Sequence, residues 1–147
     1  MELQFVHEES FGSEIKEFYS NQWPSANLEV FGFTDQSRWK MEEHLITARI
    51  DNNTIVGVAQ FRIIGGVGYL STLLIEEDFR GKGTVGISLL NKFESIAKNK
   101  GCHKLGLKSY KDSRASNFFA KHGYELEAVL KRDIHLLDWV MMAKYIK

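Results

Sequence analysis

LLIEEDFRGKGTVGISLL, residues 73–90, decides how this chain is read. An apolar run ending at Ile75 passes into acidic residues, and glycines then stand at 81, 83 and 86. Beyond them, Val85, Leu89, Phe93 and Ile96 recur at helical spacing. The order strand, glycine-rich loop, long helix brings unpaired N–H groups and the positive end of the macrodipole to the loop. Arg80 and Lys82 add charge, and the glycines admit a phosphate where a Cβ would block it. The stretch reads as an anion site.

Two nucleotide readings fail on spacing. Glycines at 81, 83 and 86 spell G-x-G-x-x-G, the dinucleotide-binding fingerprint. That fingerprint wants an acidic residue about 20 positions on, at the end of the next strand. Here the next strand, HKLGLKSY, ends in Lys108, Ser109 and Tyr110. A Walker-type loop fails as well, because Lys82 is followed by Gly83 and no glycine lies at the required distance upstream.

Working outward, ELQFVHE alternates and predicts a first strand, and SFGSEIKEFYSNQW predicts a helix. WPSANLEVFGF, with Pro24, reads as an irregular connection, and TDQSRWKMEEHL as a second short helix. LITARI and TIVGVAQFRII form a hairpin across DNN, and Gly65–Gly66 turn the chain into GYLSTLLIEE. The long helix that follows stops at Gly101. CHKLGLKSY is a strand, and DSRASNFFAKHG is a helix capped by Asp112 or Ser113 and closed by Gly123. YELEAVL and LLDWVMMAKY finish as strands. The order β-α-α-β-β-β-α-β-α-β-β predicts an α/β fold, a mixed sheet with helices packed on it. No linker or repeat interrupts it, so residues 1–147 read as a single domain.

Nineteen basic and nineteen acidic residues cancel, so no net field points to nucleic acid or a membrane surface. No apolar window approaches a membrane span, and the acidic N-terminus is unlike a signal peptide. With a single cysteine, Cys102, the expected location is cytoplasmic. The five histidines (7, 44, 103, 122 and 135) show no metal-binding spacing. Charge is uneven along the chain: residues 1–52 hold ten acids and four bases, and the remainder holds nine acids and fifteen bases. This split suits a polyanionic cofactor and a cationic substrate on different parts of the fold, and equally suits ordinary solvated faces.

L-L-I-E-E-D-F-R-G-K-G followed by G-I-S-L-L resembles the acyl-CoA-binding motif of the GNAT superfamily of N-acyltransferases, R/Q-x-x-G-x-G/A at the start of a long helix. A-S-N-F-F-A-K-H-G-Y, residues 115–124, is similar to the family's second motif, A-x-x-x-Y-x-K-x-G-F/Y. The resemblance covers essentially the whole chain. It implies transfer of an acetyl group from acetyl-CoA to a primary amine by direct attack, in a cleft where strands four and five splay apart. It implies that Leu73, Leu74 and Ile75 line the pantetheine arm. It further implies that Arg80, Gly81, Lys82, Gly83, Thr84, Val85 and Gly86 surround the pyrophosphate.

Two departures bear on chemistry. One extra residue separates Gly83 from Gly86, so either Val85 or Gly86 faces the pyrophosphate, with Gly86 expected. Phe119 stands where relatives carry a tyrosine thought to protonate the leaving thiolate, and Asp112 stands where an asparagine is common. Phenylalanine has no proton to give, so Phe119 reads as an aromatic packed beside the cofactor. An acyl-CoA-binding sensor or partner-binding domain with little catalysis is therefore the alternative function.

Alternation puts Tyr69, Ser71 and Leu73 on one face of the fourth expected strand, with no carboxylate among them. Ser71 or Tyr69 could relay a proton through water, and Tyr110 or Tyr124 could replace the missing acid. Each also reads as an ordinary packing or surface residue. The acceptor is expected against residues 10–45, hairpin 65–69 and the C-terminal strands. The first of these regions is aromatic (Trp23, Phe31, Phe33, Trp39) and acidic (Glu14, Glu17, Asp35, Glu42, Glu43). A cationic amine, on a small molecule or a protein, fits it, as does a core with solvated faces. LLDWVMMAKY is a candidate homodimer edge.

Overall fold

Apolar residues at helical spacing start a helix, α1 (Ser13–Phe31), in the computed structural model, which describes residues 1–146. The helix continues through Pro24, where the sequence predicts an irregular connection. Proline inside a helix forfeits one backbone bond and costs about 3 kcal/mol. Ahead of it, Phe11, Tyr19 and Trp23 meet edge-to-face in a chain. The end is defined by Gly32, whose left-handed φ of 77° lets its N–H reach the Leu28 carbonyl at 3.1 Å. Phe31, Phe33 and Trp39 then cluster, with the Arg38 guanidinium 3.8 Å from the Phe33 ring centre. The expected second helix is only a 3-10 turn, Gln36–Trp39. Residues 1–8 carry no regular structure, so the expected first strand is absent. Alternation alone makes no strand without a neighbour to bond.

Among the described residues, the six strands all lie between 42 and 145. β1 (Glu42–Ile50), β2 (Thr54–Ile64) and β3 (Val67–Ile75) form an antiparallel meander. α2 (Thr84–Asn99) crosses to β4 (Lys104–Tyr110), which runs parallel to β3. α3 (Arg114–Lys121), β5 (Glu125–Leu130) and β6 (Trp139–Tyr145) complete the chain, in sheet order β1-β2-β3-β4-β6-β5. The mixed α/β architecture is the one expected. β6 lies between β4 and β5, so LLDWVMMAKY is an interior strand and the sheet edge is β5. The apolar side chains Val140, Met142 and Ala143 of β6 are buried in the core.

α2 buries Leu89, Leu90, Phe93 and Ala97 against the sheet, where Phe61 meets Phe93 edge-on at 4.8 Å. Truncating a fully buried phenylalanine of this kind costs about 3–5 kcal/mol. α3 is started by a capping box: Ser116 N–H donates to Ser113 Oγ and Ser113 N–H to Ser116 Oγ, each at 3.0 Å.

One irregularity positions the site. β3 and β4 pair only from Val67–Lys104 to Leu70–Leu107, although β3 continues to Ile75 and β4 to Tyr110. Ser71 is the cause. Gln60 opposes Thr72 while Phe61 opposes Leu70, which leaves Ser71 as a bulge whose Oγ–H donates to the Gln60 carbonyl at 3.0 Å. A bulge bends its strand and increases the twist, and here it turns β3 away from β4. It also switches faces. Leu70, Leu73 and Ile75 oppose Phe61, Ala59 and Gly57 on the α2 side, while Tyr69 opposes Arg62 on the other. Tyr69 and Leu73 therefore do not share a face, contrary to simple alternation. With the first strand absent, the splay expected between strands four and five lies between β3 and β4.

Candidate active site

Where β3 has left β4, the end of β3, the glycine loop, the start of α2 and α3 line a cleft of about 870 Å³. Leu73, Leu74 and Ile75 form one wall, and Ala115, Phe118 and Phe119 of α3 form the other. At its end stands the glycine loop. Gly81 and Gly83 both adopt left-handed φ, 76° and 77°, which lets the chain fold tightly over the start of α2. Gly83 is the N-cap, and the first bond into the helix runs from Ile87 N–H to the Gly83 carbonyl at 3.2 Å. Thr84, Val85 and Gly86 therefore have no intrahelical acceptor for their N–H groups.

The extra residue in the loop is resolved by the phase of α2. Val85 packs with the core and faces Gly57 of β2, while Gly86 lines the cleft beside the Phe118 ring. Cations in the lining are Arg80, Arg114 and Lys121, and no carboxylate is among them.

Of the residues expected around a cofactor, eight line the cleft: Leu73, Leu74, Ile75, Arg80, Gly81, Gly83, Gly86 and Phe119. Lys82, Thr84, Val85 and Asp112 are outside the lining. Asp112 instead borders a hollow of about 330 Å³ with Tyr110, Leu137 and Asp138. Tyr110 is half exposed and meets Trp139 at 5.9 Å. Tyr69 lies under the Arg62 guanidinium at 4.4 Å. Tyr124 is buried away from the cleft lining, where its hydroxyl donates to Glu94 Oε1 at 3.0 Å. Burial, and then the Glu94 charge, push its pKa well above the ordinary tyrosine value.

Phe79, Arg114, Asn117, Phe118 and Lys121 were not read from the sequence as lining residues, yet they line the cleft. A signal existed for α3. Arg114, Phe118 and Lys121 recur at i, i+4 and i+7 and so share one helical face.

The geometry suits a long, polyanionic, partly apolar ligand. The stretch of β3 beyond Leu70 offers unpaired backbone groups on its β4 side, an apolar trough runs beside it, and a helix N-terminus with a side-chain-free Gly86 closes the end. Pantetheine and a diphosphate ask for these features in this order.

Residues 9–124 match the family model for the acetyltransferase (GNAT) family. The chain belongs to the GNAT acetyltransferase family. This acetyltransferase is similar in structure to an acetyltransferase from Bacillus cereus ATCC 14579, at 26% identity and a TM-score of 0.73 over 96% of this chain and 98% of that one. It shares its fold with a GNAT family acetyltransferase from Elizabethkingia anophelis with acetyl-CoA bound (19% identity, TM-score 0.64, 71% of this chain and 76% of that one). It also shares it with the ribosomal-protein-S18-alanine N-acetyltransferase from Escherichia coli (15% identity, TM-score 0.65, 76% and 74%). No curated protein matches the sequence. Membership makes the chain an acyl-CoA N-acyltransferase, with acetyl-CoA as cosubstrate. Among the described residues, no helix is long and apolar enough to cross a membrane.

Proposed function

We propose that this acetyltransferase moves the acetyl group of acetyl-CoA to a primary amine by direct attack, with residues 1–147 acting as one domain. The early end of β3–β4 pairing at Leu70 and Leu107 carries this reading. It frees a strand edge beside an apolar trough that leads to the N-terminus of α2. Leu73, Leu74 and Ile75 hold the pantetheine arm, and the N–H groups of Thr84, Val85 and Gly86 hold the diphosphate. Acetyl-CoA supplies the acyl group activated as a thioester. The chain contributes position, exclusion of water by Phe118 and Phe119, and dipoles at the reacting carbonyl.

An amine that arrives protonated must lose a proton before it attacks. None of the four candidate hydroxyls lines the cleft; Tyr110 is favoured among them because it ends β4 beyond the last β3–β4 pair and is 46% exposed. Ser71 and Tyr124 already donate, to Gln60 and Glu94. Tyr69 lies beneath Arg62. The excess of acids in residues 1–52 supports a cationic acceptor, on a small molecule or a protein.

Thiol release from acetyl-CoA across a panel of polyamines, basic peptides, neutral amines and acidic amines tests the reading. Release with a cationic amine supports it. Neutral or acidic amines outperforming cationic ones would remove the charge preference. CoA binding with no release on any amine would favour a sensor over an enzyme acting on amines.

A further inference from the structure

Among the described residues, the sheet ends at β1 on one side and at β5 on the other, and the two edges are built differently. β5 is blunted. It is six residues long, and Glu127 stands as an extra residue between the Leu126–Met142 and Ala128–Met141 pairs. Short edges, bulges and charged side chains discourage a further strand from pairing. β1 is nine residues long and contains neither lysine nor proline. The one shift in its pairing puts the extra residue, Val56, on β2, so β1 itself runs without a bulge from Glu42 to Ile50. Its outward N–H and C=O groups are a template for another strand.

The side chains of β1 say which strand. Ile46 and Ala48 pack against the core, so Glu43, Leu45, Thr47 and Arg49 lie on the opposite face. There Arg49 Nε donates to Thr47 Oγ1 at 3.1 Å. Leu45 is 66% exposed. Among the described residues, neither Glu43 nor Arg49 has an oppositely charged partner. The row therefore reads acid, apolar, hydroxyl, base, and it complements itself when reversed. A second copy run antiparallel about a two-fold axis at Ile46 sets Arg49 opposite Glu43 and Thr47 opposite Leu45, twice over. An axis at Leu45 would set Glu43 against Thr47, and one at Thr47 would set Leu45 against Arg49. An axis between residues would bring side chains of opposite faces together.

We propose that the free edge of β1 binds β1 of a second copy of this chain, antiparallel and centred on Ile46, so that two sheets join into one. Main-chain hydrogen bonds and the covered Leu45 side chains carry the affinity. The Glu43–Arg49 pairs between copies are exposed and individually weak, and their part is to fix the register. Ile46 and Ala48 meet their counterparts on the other face, which continues the core side of one sheet into the other.

Sedimentation velocity over a concentration series tests the pairing without knowledge of any substrate. The wild type should pass from monomer to dimer as concentration rises. E43R and L45K, both at exposed positions, should each raise the dimer dissociation constant about ten-fold or more. E43R/R49E, which exchanges the two charges, should return it to within about three-fold of the wild type. Hydrogen exchange at the outward amides of β1 should be slow in the wild-type dimer and fast in L45K. A wild type that stays monomeric would overturn the proposal, and slow exchange in that monomer would give the edge to another strand of the same chain. A dimer left intact by E43R and L45K would place the interface elsewhere and overturn it too. So would a folded E43R/R49E chain that pairs no better than E43R.

Discussion

Val85 occupies the space above Gly57: a Cβ added to that glycine would stand 2.8 Å from Val85 Cγ1. The contact sets the phase of α2, because one helical residue turns through roughly 100°. With Val85 against the sheet, Gly86 is carried round to the cleft.

Gly57→Ala is expected to destabilise the protein. The new methyl would also meet Leu89 Cδ1 at 2.9 Å and Ile75 Cδ1 at 3.3 Å, so three packed side chains must shift together. Overpacking of this kind costs about 1–3 kcal/mol, read as a drop of several degrees in melting temperature. An unchanged or raised melting temperature would show that α2 rides off the sheet freely.

Gly86→Val and Val85→Ala should separate binding from stability. A side chain at 86 projects toward Phe118 and into the cleft, so Gly86→Val should weaken CoA binding at least about ten-fold. Val85→Ala removes core contacts and should cost about 1 kcal/mol of stability with CoA affinity kept. The reverse pattern in calorimetry and melting would mean that the register of the loop is wrong.

Phe119 is 7% exposed and packs between Phe118 and Tyr124, so a hydroxyl at its ring edge adds few atoms to a filled site. If proton delivery to the departing thiolate limits turnover, Phe119→Tyr should raise kcat by about ten-fold or more, with KM for acetyl-CoA unchanged. An unchanged kcat would place an adequate proton donor elsewhere, with Tyr110 next to be replaced.

Tyr124 should give the protein an alkaline limit. Its folded pKa is raised by burial and by Glu94, so the native state keeps a proton that the unfolded chain loses near pH 10. This stabilisation is fully present below pH about 10 and is lost as pH rises further. Urea midpoints should therefore fall more steeply above pH about 10 in the wild type than in Tyr124→Phe. Parallel curves would place the alkaline sensitivity in another group.

Much of the candidate site was legible in residues 73–86, because a strand, a glycine loop and a helix start are local features. Gly86 was expected to face the pyrophosphate from the match of G-I-S-L-L to the family motif, and it lines the cleft. The hydroxyls were harder. Tyr124 was a candidate acid until its partner was known, and Glu94 lies 30 residues away. Arg114 sat in plain view one residue before the second motif, but its nearness to Gly81 is a contact between elements.

The sequence by itself determined the kind of element in most places from residue 42 onward, the glycine loop that opens a long helix, and the family. Each follows from short-range periodicity, caps and glycines. Tertiary structure decided what depends on a partner. The helix α1 runs through Pro24, and residues 1–8 formed no strand because alternation needs a neighbour's backbone. The cleft came from Ser71, an unremarkable serine that becomes a bulge only when Gln60 and Phe61 stand opposite it. Register between strands is a long-range property, and no local spacing contains it.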